Sequence, residues 1–290
     1  MINTSDKIYR NYENTNDYVK NNYKLARLNQ TYQFAVDMIH NYDQHDKIPL
    51  NIWDAIEKLD KFIDLSDPDV NIPNLYHLLQ TAEAIRKDGL PDWFQLVGLI
   101  HDLGKIMYIW GNDSTGTSAN TQWAVVGDTF ITGCKIPNTI VYPEFNNLNP
   151  DMSNPLYNSE LGIYQPHCGL DNTICSWGHD YYLYKVLLDN NIGSDVNFNK
   201  AGNHISAKLP YEALYIIRYH SLYLWHDANE YKHLMNDFDQ EMLSLVKQFN
   251  KYDLYTKNDI DSKCFKEYIM KLKPYYEKLV KKYLGSTLYF

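Results

Sequence analysis

An all-α fold, a single helical domain carrying one short β-hairpin or extended segment and two inserted loops, is what this sequence predicts. Three observations carry that prediction. Apolar residues recur at three- and four-residue steps from about residue 17 to the end. Convincing alternating strands are few. No Pro/Gly/Ser-rich linker divides the 290 residues, a length that one large domain can occupy.

Taken in order, the helical pattern begins near residue 17. After the turn-rich DLSDPDVNIPN, Asn74 is placed to cap a helix reaching about Ile85. Residues 96–111, LVGLIHDLGKIMYIWG, follow as an apolar helix with Leu96, Leu99, Ile100, Leu103, Ile106, Met107 and Trp110 in step. The loop 112–121, NDSTGTSANT, contains no core-forming residue and is expected to be mobile. Residues 123–145 are the most strand-like part, suited to a short hairpin or an extended connection. A helix is expected over 171–190, then a second loop, 193–208. Pro210 suits the start of a helix over 211–224. The last helices are expected over 238–252 and 262–284.

The net charge of −9 argues against nucleic acid or an anionic membrane as the main partner, since both call for a basic surface. The N-terminal residues lack an apolar signal-peptide core, and there is no apolar run of membrane-spanning length. Cys134, Cys168, Cys175 and Cys264 show no CxxC pattern, which suits reduced thiols and a cytoplasmic location. The 26 tyrosines imply many half-buried rings whose hydroxyls reach polar groups.

The chemistry is signalled by polar residues on apolar helix faces. His101, Asp102 and Lys105 interrupt an apolar helix. His220 continues the stripe of Ala213, Ile216 and Ile217, and Asp253 that of Met242, Leu245, Val246 and Phe249. His179 shares a face with Leu183 and Val186, and His77 stands beside Leu78 and Leu79. Each alone has a plainer explanation. A single inward histidine is more often a hydrogen-bonded core residue than a ligand, and either aspartate could pair with a lysine. His40, His45, His204 and His233 read as solvated; His167 and His226 stay open. Together, four imidazoles and two carboxylates suit iron, manganese or zinc. Six ligands exceed one tetrahedral zinc and suffice for two metals, with Asp102 able to bridge.

His101-Asp102 resembles the paired His-Asp of the HD-domain superfamily, helical metal proteins that are mostly phosphohydrolases. The ordered set LVGLIHDLGK, QWAVVGDTF, YQPHCGLD, SWGHDYYLY, IRYHS and FNKYDLYTK narrows the resemblance to the myo-inositol oxygenase family. It runs from about Tyr9 in YRNY to KLKPYY at 271–276, nearly the whole chain.

That resemblance implies a mixed-valent Fe(II)/Fe(III) centre that cleaves one ring C–C bond of myo-inositol with O2, giving D-glucuronate. It implies one iron on His77, His101, Asp102 and Asp253, and a more open one on Asp102, His179 and His220. The substrate contacts it implies fall on Arg10, Asp64, Leu65, Ser66, Lys105, Gly127, Asp128, His220, Ser221 and Lys257. Asp102, Lys105 and His220 would act in catalysis. An uncharged polyol must be recognised by several fixed donors and acceptors, which these side chains supply. The four electrons come from the substrate, so no nicotinamide or flavin is implied, and the chain has no GxGxxG. Leu65 departs from the family, whose members generally carry an acidic residue there. Residues 1–30, around Arg10, are expected to form a lid over the pocket, and the protein to work as a monomer. A phosphohydrolase, and an oxygenase of the same scaffold acting on another polyol or a phosphonate, are the alternatives.

Overall fold

Start and stop chemistry accounts for most elements of the computed structural model, which describes residues 10–42, 48–68, 73–255 and 262–290. Helix α1 (Asp17–Asn29) has an acid in its first turn and a base in its last, matching the helix dipole. In α2 (Tyr32–Asn41) the Thr31 hydroxyl accepts from the Phe34 N–H at 3.1 Å. Asn51 ends β1 (Pro49–Asn51) and caps α3 (Ile52–Lys58) through the Trp53 N–H at 2.9 Å. Next come α4 (Asn74–Lys87), α5 (Asp92–Ile100), α6 (His179–Asp189), α7 (Tyr211–Tyr219) and the single-turn α8 (Tyr223–His226). At the start of α9 (Asp237–Tyr255), Asn236 and Asp239 exchange side chain-to-backbone bonds in a reciprocal cap. Helix α10 (Ser262–Leu284) leads into β2 (Thr287–Tyr289).

The core is continuous. Helix α4 packs on α5, α6 on α7, and α9 against α4, α5 and α7. Leu79, Ala82, Leu99, Ile100, Leu183, Ile216 and Val246 are wholly buried between them. Each large aliphatic side chain so placed contributes roughly 1.5–3 kcal/mol, which sets the scale a buried polar residue must answer to. No helix among the described residues is long and apolar enough to cross a membrane.

Several expectations change in detail. The apolar pattern over 96–111 is not one helix: α5 ends at Ile100, and a 3-10 stretch carries Leu103–Ile109. The cause is close packing on α6. A Cβ on Gly104 would lie 2.0 Å from the His179 carbonyl oxygen, so the chain bends where only glycine fits. The expected helix over 211–224 also divides, with His220, Ser221 and Leu222 between α7 and α8. The pattern over 171–190 resolves into a 3-10 turn, Leu170–Asn172, and then α6.

The segment 123–145 forms no hairpin and no strand: it winds through turns and bends into a 3-10 helix that begins at Pro143, and its one bridge joins Ile131 with Cys175. The strand pair lies elsewhere, joining β1 and β2 antiparallel with Leu50 opposite Leu288. The loop 112–121 is held by its own side chains: Asn112 Oδ1 accepts from the Thr115 N–H at 3.0 Å and the Ser114 hydroxyl at 2.6 Å. Thr117 in that loop is buried.

Candidate metal centre

Two histidines are placed by the same local device. His101 and His220 each follow the last residue of a helix, α5 and α7, and each folds its ring back onto that helix's final turn. Nδ1 of His101 lies 3.0 Å from the Gly98 carbonyl, and Nδ1 of His220 lies 2.8 Å from that of Ile217. These are last-turn carbonyls with no intrahelical partner, so the ring satisfies the helix end as the helix end orients the ring. His179, the first residue of α6, sets Nδ1 at 2.6 Å from the Val125 carbonyl.

A carbonyl oxygen only accepts, so each of these Nδ1 atoms carries the hydrogen. The Nε2 lone pairs of His101, His179 and His220 therefore face inward. His179 Nε2 and His220 Nε2 stand 3.1 Å apart, and His101 Nε2 is 3.3 Å from His77 Nε2. With both His179 and His220 presenting lone pairs, neither can donate to the other. A buried pair of facing acceptors calls for a cation between them.

Asp102 connects the two pairs. Its Oδ1 is 3.0 Å from His179 Nε2 and 3.6 Å from His220 Nε2. Its Oδ2 is 3.6 Å from His101 Nε2 and 3.8 Å from His77 Nε2. One carboxylate thus offers one oxygen to each histidine pair. Asp253, near the end of α9, completes the His77–His101 side, with Oδ1 2.8 Å from His77 Nε2 and 3.3 Å from His101 Nε2. Ligand atoms of His77, His101 and Asp253 lie within 4.8 Å of one another, as do those of His101, Asp102 and His220. All six residues are buried. The donor set of imidazoles and carboxylates, with the far ring nitrogens of His101, His179 and His220 tied to backbone, fits a first-row transition metal such as iron.

Burial alone would raise both carboxylates. For Asp102 the Lys105 ammonium outweighs it, for Asp253 the adjoining His101 and His77 rings, and each is held well below the usual range. Lys105 spends all three donors: on Asp64 Oδ2 at 2.7 Å, Asp102 Oδ2 at 2.8 Å and Asn74 Oδ1 at 2.9 Å. Burial opposes its charge, and the two carboxylates more than restore it.

A cavity of about 70 Å3 opens over this cluster. Of the residues anticipated around the substrate, Arg10, Asp64, Ser66, Lys105, Gly127, Asp128, His220 and Ser221 line it. Asp64 Oδ1 accepts from both the N–H and hydroxyl of Ser66, at 2.8 and 2.6 Å. Arg10 Nη2 donates to both Asp128 oxygens, at 2.8 and 2.7 Å, with its guanidinium 3.6 Å above the Tyr223 ring. Gly127 takes a φ of +108°, which turns the chain so that Asp128 faces the cavity. Leu65 is the exception: it lies off the cavity, and its N–H donates to Gln122 Oε1 at 3.0 Å. Lys257 falls outside the described residues.

Six lining residues escaped the sequence reading: Tyr12, Tyr23, Asp67, Pro68, Asn74 and Tyr223. Asn74, expected as a cap, is the first residue of α4 behind Pro73; its side chain donates to Asp102 Oδ2 at 3.1 Å. Tyr12, Tyr23 and Tyr223 supply hydroxyls and ring walls. Tyr23 donates to Asp128 Oδ1 at 3.2 Å, and Tyr223 to Asp253 Oδ2 at 3.4 Å. The signal available for Tyr223 was its place two residues after Ser221. His226 proves to be a support, its Nε2 donating to the His220 carbonyl at 2.9 Å. Burial pushes it down to about 3, so it stays neutral.

Comparison with known proteins agrees with this geometry. Residues 16–290 match the family model described as myo-inositol oxygenase. The inositol oxygenase of Dictyostelium discoideum is 44% identical over 290 residues, covering 97% of this chain and 89% of its own. That of Danio rerio is 44% identical over 288 residues, covering 97% and 92%. That of Mus musculus is 44% identical over 279 residues, covering 94% and 86%. A match over nearly the full length, on a helical chain that gathers four histidines and two aspartates beneath one cavity, establishes that this chain belongs to the myo-inositol oxygenase family.

Proposed function

We propose that this chain is an inositol oxygenase, cleaving one ring C–C bond of myo-inositol with O2 to give D-glucuronate in the cytoplasm. The observation that carries this reading is Asp102, whose two oxygens address two histidine pairs with inward lone pairs. His77, His101, Asp102 and Asp253 would hold one iron, and Asp102, His179 and His220 the other, in a mixed-valent pair. Bound there, the metals supply O2 activation and Lewis acidity toward the polyol hydroxyls. The side with fewer protein ligands leaves more positions for substrate.

The chain's own residues do the rest. Asp64, Ser66, Asp128 and Ser221 present fixed acceptors and hydroxyls to the rim of an uncharged ring. Every donor of Lys105 is taken, so a substrate hydroxyl reaches that ammonium by replacing one acceptor. Asp64 is the one to yield, its side chain being 19% exposed against 5% for Asp102. Lys105 then steadies negative charge that develops on the substrate oxygen. The reaction consumes one O2 and releases one water per inositol, with all electrons drawn from the substrate.

A phosphohydrolase would need free positive charge over the metals. Among the described lining residues both cations are already paired, Lys105 with Asp64 and Asp102, and Arg10 with Asp128. The oxygen electrode decides between them. Reduced, iron-loaded protein is expected to take up O2 only when myo-inositol is added, with uronic acid formed in equal amount. No inositol-dependent uptake at near two irons per chain would remove the proposal. His220→Ala and Asp253→Ala should each abolish turnover and lower bound iron.

The N-terminal residues act in this reading as a cover. Arg10 reaches Asp128, Tyr12 meets Tyr23 at 2.9 Å, and Thr15 bonds the Tyr142 hydroxyl. Saturating inositol is expected to slow proteolytic release of this segment at least several-fold. Equal rates with and without inositol would count against a closing role. The protein is taken to act as a monomer, since one chain supplies the whole cluster.

A further inference from the structure

We propose a second binding site, for a phosphate group, in the basic concavity between the end of α10 and the loop over residues 199–207. The concavity measures about 410 Å3, and Lys278, Lys281 and Lys282 line it with Asn203, Ser206 and Ser286. His204 is the remaining lining residue, so no carboxylate faces it in a chain of net charge −9.

The lysines stand at three- and four-residue steps on one helix face. Like charges so spaced destabilise a helix unless something offsets them. Glu277 could reach Lys281 by spacing alone, yet it leans toward Lys273 at 4.0 Å. Among the described residues Lys278 and Lys281 have no carboxylate partner; Lys282 is paired with Asp92.

The opposite wall is rigid. Asn203 Oδ1 accepts from the Ser286 and Thr287 N–H groups at 3.0 and 2.8 Å. Asn199 donates to the Leu284 and Thr287 carbonyls at 2.8 and 2.7 Å. The Ser206 and Ala207 N–H groups both bond the Lys282 carbonyl at 3.0 Å. Hydroxyl and amide groups of Ser206, Ser286 and Asn203 therefore share one gap with Lys278 and Lys281, the two lysines of its lining with no carboxylate partner among the described residues. Its apolar surface comes from the lysine stems and the His204 ring, and among the described residues no Leu, Ile, Val, Phe, Tyr or Trp lines it. A compact, strongly hydrated dianion suits such a lining, because lysine binds phosphate as a point charge. Inorganic phosphate and a phosphorylated polyol share that chemistry.

Calorimetric titration of the iron-loaded full chain tests this, at constant ionic strength and with inositol saturating the first site. Saturable binding of inorganic phosphate is expected, weakened at least tenfold in K278Q/K281Q and unchanged in K135Q. Glycerol 3-phosphate binding more tightly than phosphate would identify a phosphorylated polyol as the ligand; equal affinity would identify phosphate itself. Heats that match a chloride control, or binding that survives K278Q/K281Q, would overturn the proposal. Inositol-dependent O2 uptake, measured on the same variants, keeps this result separate from the fate of the oxygenase reading.

Discussion

Asn74 stands where helix-start logic puts a cap, and the structure gives it other work. Its amide group donates to Asp102 and accepts from Lys105, holding the shared carboxylate and the buried ammonium in register. Asn74→Ala should leave the fold intact and lower kcat/KM by roughly 10–100-fold, the usual range for a residue that orients a ligand. Wild-type oxygen uptake in that variant would show the contacts to be incidental. The six His and Asp residues were legible because each continues an apolar stripe, where an ionisable group must find a partner. Asn74 and Tyr223 were not: an Asn after a loop and a Tyr among 26 tyrosines carry many meanings. Leu65, anticipated from likeness to the family alone, is not among the residues lining the cavity, and its N–H is engaged by Gln122.

Whole helices were easier to foresee than their ends. The stripe from Leu96 to Trp110 runs through the bend at His101 and Asp102, since residues on both sides of it are buried. Apolar spacing reports burial; the turn that places His101 depends on the approach of α6 to Gly104, contributed from far along the chain. The tie between α4 and α10 shows how separate elements hold one another. Glu83 accepts from Arg86 at 2.6 Å and from the Tyr276 hydroxyl at 2.6 Å. Burial would raise its carboxyl, but the bonds to Arg86 and Tyr276 outweigh it and hold it below its ordinary value. The stabilisation is thus complete above the unfolded carboxyl range, near pH 4.5, and is lost as pH falls through the lower folded value. Glu83→Gln should cost on the order of 1 kcal/mol at pH 7. In urea melts the gap between wild type and variant should close below pH 4; a gap independent of pH would show that the carboxylate charge does not matter.

At the scale of the molecule, the His/Asp cluster is where five helices meet: α4, α6 and α9 carry His77, His179 and Asp253, while His101, Asp102 and His220 stand just past the ends of α5 and α7. Bound metal should therefore tie the fold together. Removing it with a chelator is expected to lower Tm by on the order of 5 °C, recovered on adding Fe(II), because a ligand present at a hundred times its Kd contributes about 2.7 kcal/mol. A Tm indifferent to metal would place the histidines in a purely structural role. The helical class was legible in the sequence, but not the ordering of the 112–121 loop around buried Thr117, nor the β1–β2 pairing, since each strand has three residues and its partner lies far along the chain.

That pairing has a practical side. Phe290 is 1% exposed, its N–H donates to the Ile48 carbonyl at 3.1 Å and its ring lies 6.3 Å from Trp110. Trimming the Phe290 ring, as in Phe290→Ala, would therefore both loosen β2 from β1 and open the Trp110 side of the core. An affinity handle or surface tether belongs near Leu156, where the chain is open to solvent and no strand depends on it.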